Sequence, residues 1–148
     1  MEHSLIFKNL RKLNFVATNE ELNALSTRWA GSSDLLINTT LDLLNALNVL
    51  PGITYRPRKD CGVSAYGVNK QGRERECFHI SVLIRNPKLV IYQHGEAQDE
   101  LNFFEYPQPS NPRIRRGYLS DEAIEKNKQL RSYIQKILRE SYTILTSH

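Results

Sequence analysis

Two cysteines, one tryptophan and one methionine are all that the 148 residues contain of these types. Cys61 and Cys77 are too few for a disulfide scaffold, so free thiols in a reducing, cytoplasmic setting are expected. No run approaches the roughly 20 apolar residues that a membrane-spanning helix needs, so no membrane association is expected. The opening Met1-Glu2-His3-Ser4 lacks the basic start of a secretory signal, and Lys8, Arg11 and Lys12 interrupt the apolar residues after it. There is no Gly-x-Ser-x-Gly elbow and no phosphate-cradling glycine loop. Gly62 and Gly67 stand alone in a strand pattern, where glycine marks a bulge or close packing. Neither cysteine sits just before a helix whose dipole would favour a thiolate. Nucleophilic catalysis and a bound cofactor are therefore not expected.

What the chain has is a globular balance of 40% hydrophobic and 24% charged residues, at a length suited to one domain spanning 1–148. The net charge of +4 is unevenly placed. Residues 52–119 hold eleven Lys/Arg and seven Asp/Glu, whereas residues 1–51 hold four and five. Such asymmetry attracts an acidic partner.

Apolar spacing predicts a short opening helix through Leu5-Ile6-Phe7, Leu10 and Leu13. Thr18 and Glu21 have the form of a capping box for a helix over 19–30, with Leu22, Leu25 and Trp29 on one side. A third helix, 34–47, capped by Ser32 or Ser33 and ended by Pro51-Gly52, is apolar over more than half its circumference and belongs in the core. Alternation then replaces the helical period. Strands are predicted over 62–68, 77–84 and 88–94, joined by turns at 69–72 and Asn86-Pro87. In the second strand Phe78, Ile80, Val82 and Ile84 are expected on one face, with Cys77, His79, Ser81 and Leu83 on the other. Residues 101–106 read as a strand or packed loop, Pro107, Pro109 and Pro112 forbid regular structure, and 113–119 reads as an edge strand. Ser120 is expected to cap one long final helix with Asp121 and Glu122 in its first turn and a stripe of Ile124, Leu130, Ile134, Ile137, Leu138 and Leu145. The predicted fold is α+β: an antiparallel meander of three to five strands, packed with a buried apolar helix and a long C-terminal helix.

The order of apolar helix, basic segment with Lys59 and three-stranded meander, closing in GYLSDEAIEKNKQLRSYIQKILRESY, resembles the YdhG-like group of small bacterial domains over about residues 34–142. That resemblance implies the architecture and supplies no active site.

Several constellations bear on chemistry. Cys61, Cys77, His79 and His94 fall in one sheet region, but only Cys77 and His79 are close in sequence, and zinc sites favour closely paired ligands; no metal is expected. Glu96, Asp99, Glu100 and Glu105 read as solvated surface, and Arg73, Glu74, Arg75 and Glu76 as a hairpin tip of mixed sign. The strongest signal is basic residues interleaved with aromatics: Tyr55-Arg56-Pro57-Arg58-Lys59 entering the sheet, and Arg113, Arg115, Arg116 and Tyr118 before the last helix. Were these stretches neighbours, they would form one basic patch in which guanidinium forks bind phosphate or carboxylate and tyrosine stacks on a base. Edge-strand charges that deter aggregation are the plainer reading.

The sequence thus points to a non-catalytic interaction module whose basic face (Arg56, Arg58, Lys59, Tyr66, His79, Arg113, Arg115 and Arg116) meets an acidic protein or nucleic acid. The alternative is a small RNA-cleaving enzyme using arginine, His79 and Tyr66 or Tyr118. Ribonuclease toxins of the RelE type resemble it in placing two helices before a basic meander, but differ in length, charge and the lack of a long apolar central helix. Leu83 with Val68 or Tyr66 offers a dimer contact.

Overall fold

The computed structural model describes residues 1–105 and 114–148. Helices α1 (His3–Arg11), α2 (Asn19–Trp29) and α3 (Asp34–Leu47) come first. Strands β1 (Thr54–Pro57), β2 (Gly62–Val68), β3 (Glu74–Leu83), β4 (Lys88–Gln93) and β5 (Arg115–Leu119) follow, then α4 (Asp121–Lys126) and α5 (Leu130–Thr146). The strands form one antiparallel sheet in sequence order, the α+β meander that the alternation predicts.

Local chemistry sets the helix ends. The amide of Glu21 donates to Thr18 Oγ1 at 3.1 Å while Glu21 Oε1 accepts from the Thr18 amide at 2.9 Å, a complete capping box. Ser33 and Ser120 accept from the amides of Leu36 and Ala123, each at 3.1 Å. The final helix is not continuous. Asn127 is extended (φ −130°, ψ 91°) and its side-chain oxygen accepts from the Gln129 amide, a local bond that competes with the helix and divides α4 from α5.

The core lies on one face of the sheet. Tyr55, Val63, Ala65, Phe78, Ile80, Leu89, Ile91 and Leu119 join Ile6, Leu10, Trp29, the α3 leucines and the α5 stripe in one cluster. Tyr55 donates its hydroxyl to Leu44 O at 2.7 Å, tying β1 to α3. Both sheet margins carry single bridges, Phe15 to Tyr55 beside β1 and Glu105 to Arg116 beside β5. No helix among the described residues is long and apolar enough to cross a membrane.

One expectation about facing is corrected. Ala65 pairs with Phe78 but Tyr66 pairs with Glu76, so Cys77 is an extra residue in β3. This bulge turns Cys77 toward the core with Phe78 instead of outward with His79. It also brings Glu76 onto the same face as His79, which strict alternation forbids for residues three apart.

Candidate functional site

The face away from the core is organised in rows across the strands. One row runs Arg56–Ser64–His79–Tyr92–Arg116, every neighbour pair in direct register. Four strand spacings of about 4.8 Å make it about 19 Å long. Tyr66 pairs with Glu76 in the next row, and Val90 with Tyr118 on the other side.

At the centre stand two histidines. His79 Nδ1 and His94 Nε2 are 2.9 Å apart, and the His79 ring stacks on Tyr92 at 4.0 Å and 16°. His94 Nδ1 lies 3.8 Å from Glu76 Oε1. The other oxygen of Glu76 accepts from Arg58 Nη1 at 3.0 Å, and the same nitrogen donates to Ser64 Oγ at 2.9 Å. Arg58 Nε reaches Asp60 at 3.3 Å, and Ser81 donates to that carboxylate at 3.2 Å.

Burial, then the nearby Arg58 guanidinium and His94, pushes the His79 imidazole down to about 3. His94 is also lowered, by burial above all, with Glu76 opposing and Arg58 assisting. Both rings are thus neutral at pH 7, so each keeps one lone pair, and the contact between them is a single shared proton.

The loop between β1 and β2 fixes Arg58. Its amide donates to Gly62 O at 2.8 Å, Trp29 Nε1 donates to Cys61 O at 2.8 Å, and Arg28 donates to Lys59 O at 3.2 Å. Cys61 adopts φ 64°, a left-handed conformation that such a clamped turn holds against its intrinsic cost. Arg56, Arg58, Lys59, Asp60, Ser64 and Tyr66 line an open cavity of about 460 Å³ beside this loop.

The two arginine-bearing stretches do not become neighbours. They occupy opposite margins of the sheet, with Arg56 and Arg116 at the two ends of one row. Arg115 points to the other face, beside Gln93, and donates to Ala97 O at 2.5 Å. Arg113 lies outside the described residues, as do Pro107, Pro109 and Pro112. Lys59 sits at the loop tip. Carboxylates already meet the β1 cations, since Arg56 pairs with Glu74 at 2.5 Å and Arg58 with Asp60 and Glu76. Arg116 and Lys88 have no carboxylate partner among the described residues; both lie over the Tyr118 ring, at 5.3 and 4.6 Å, as Arg56 lies over Tyr66 at 4.2 Å.

Glu76 is the residue that reading by alternation misses, whereas His94, named in the sequence with Cys61, Cys77 and His79, does meet His79. Glu76 is no hairpin-tip charge but part of the central cluster. The one available signal was the adjacent apolar pair Cys77-Phe78, which breaks the strand's alternation where the bulge falls. Asp99 accepts from the amides of Phe103 and Phe104 and from the Tyr133 hydroxyl, so it organises its own loop.

No family model, curated protein or solved structure matches the chain.

Proposed function

We propose that the face opposite the helices is a non-catalytic binding surface for single-stranded nucleic acid, laid across the strands. The Arg56–Ser64–His79–Tyr92–Arg116 row carries this reading, with a guanidinium at each end and aromatic rings between. Single strands are bound by such combinations: cations track the phosphates while bases stack on aromatic faces, each stack contributing about 1–3 kcal/mol. Tyr66 and Tyr118 each have a cation over one ring face, which a stacking base would displace toward a phosphate. An acidic protein surface is the competing partner; the tyrosines across the face favour bases that can stack. Arg116 and Lys88 are cations that no described carboxylate holds, and Arg56 has to leave Glu74 to meet a phosphate. The two free thiols agree with a reducing, cytoplasmic compartment.

Fluorescence anisotropy with a labelled single-stranded oligonucleotide, read between 50 and 200 mM salt, tests this. Each phosphate contact contributes about 0.7 to the slope of log affinity against log salt. Arg116→Ala is expected to lower that slope by one contact and Tyr66→Ala to weaken binding without changing it. Affinity indifferent to both substitutions defeats the reading.

RNA cleavage is the second reading, favoured by the Glu76–His94–His79 contacts. It ranks below binding because an imidazole lowered to about 3 is a poor acid or base at neutral pH. RNA cut by the wild type and left intact by His79→Ala would reverse the order.

A further inference from the structure

We propose that Glu76, His79 and His94 form a binding site for one divalent transition-metal ion, with zinc the best-suited occupant. The three residues offer ligand atoms that all lie within 4.8 Å of one another. Two imidazole nitrogens and a carboxylate oxygen are a donor set that zinc takes with a fourth position left for water. This assignment needs no nucleic acid and stands independently of the binding surface around it.

The geometry is close to what the ion requires. Two nitrogens at about 2.05 Å from a tetrahedral ion stand about 3.3 Å apart. His79 Nδ1 and His94 Nε2 are now 2.9 Å apart and the ring centroids 5.1 Å, so the rings meet nearly head-on. A metal in place of their shared proton needs both an opening of a few tenths of an ångström and a tilt of the rings, chiefly of His94, toward the ion. Tyr92, stacked on His79, limits rotation of that ring. Arg58 holds Glu76 Oε2, which leaves Oε1 free to turn toward the ion from its present place 3.8 Å from His94 Nδ1, the ring nitrogen that does not meet His79. Arg58 is itself anchored by Ser64 and Asp60. Such partners behind a ligand fix its orientation and strengthen the site.

Charge also permits a cation here. Asp60 and Glu76 together exceed Arg58 by one negative charge, so the cluster is not cationic before the ion enters. Softer thiolate chemistry is not involved, because Cys77 lies on the core side. Imidazole with carboxylate suits zinc, copper, nickel or iron better than magnesium or calcium, which prefer all-oxygen shells.

Untagged protein stripped with a chelator and titrated with zinc chloride by calorimetry tests the site. One ion per chain is expected, and cobalt chloride should give the visible absorption of a tetrahedral Co²⁺ ion. His94→Ala and Glu76→Gln each remove a direct ligand and should weaken binding by more than the roughly 10–100-fold that loss of an outer-shell partner costs. The double variant His3→Ala, His148→Ala should bind as the wild type does. If the His79 or His94 variants fail to fold, NMR of the wild-type imidazole nitrogens keeps the question open to answer, since zinc should shift His79 and His94 and leave His3 and His148 alone. No binding, or binding lost in the His3/His148 variant instead, overturns the assignment.

Discussion

Ser141 joins Cys77 to Gly95: its hydroxyl donates to Cys77 O and accepts from the Gly95 amide, both at 2.7 Å. One buried serine on α5 thus holds the bulge that follows Glu76 and the residue that follows His94. Ser141→Ala would leave a buried amide and a buried carbonyl without this partner, at a cost of about 1–3 kcal/mol. Urea denaturation should show that loss. Zinc affinity should fall in the same variant, because the two ends of the cluster are no longer pinned to one point. Unchanged stability would mean that the two backbone groups find other partners.

Gly67 is a second point of contact with α5. A Cβ built there comes 2.5 Å from Thr146 Cγ2 and 2.6 Å from Tyr142 Cε2. Tyr142 is held by its hydroxyl on Pro51 O at 2.6 Å, so it cannot yield cheaply. Gly67→Ala is expected to destabilise by about 1–3 kcal/mol through overpacking. A thermal midpoint equal to that of the wild type would show that the helix end shifts freely.

The metal-free protein should lose stability on mild acidification. His79 binds its proton near 6.5 when unfolded and near 3 when folded, so the unfolded chain takes up more protons below 6.5. Stability then falls as pH drops from 6.5 toward 3, by on the order of 1–2 kcal/mol at pH 5. Arg58, Glu76, His94, Ser64 and Tyr92 are the groups facing the ring. Urea midpoints compared at pH 7 and 5 should show the decline, and His79→Gln should reduce it. An identical decline in the variant would place the effect elsewhere.

The two thiols should differ in reactivity. Burial pushes the Cys77 thiol up to about 12, while Cys61 is half-exposed. Native protein treated with a maleimide at pH 8 should label Cys61 first and Cys77 about 1,000-fold more slowly, because the thiolate is the reacting form. Equal rates would show that the β3–α5 contact opens readily.

The helices and the meander were legible because they rest on local periodicity. Thr18, Ser33 and Ser120 cap as their side chains dictate, and α3 spans 34–47 as its apolar face requires. The break at Asn127 was not legible, since the apolar stripe runs on across it and only a side-chain bond marks the stop. The site was half legible. Tyr66 and His79 stand on the face that the alternation gives them, and Arg58 reaches it from the loop after β1. Glu76 required the register of two strands, and His94 required knowing that the end of β4 folds against β3. Both depend on pairing across the sheet, which no single segment encodes.

The bridges at Tyr55 and Arg116 bear on how this molecule meets others. Tyr55 exchanges backbone bonds with Asn14 and Val16, and Arg116 with Glu105, so the middle of each outer strand is already occupied. A visiting chain therefore finds no free main-chain template at these positions for extending the sheet. Recognition falls to side chains, and growth into stacked fibrils is blocked where an unguarded meander would invite it.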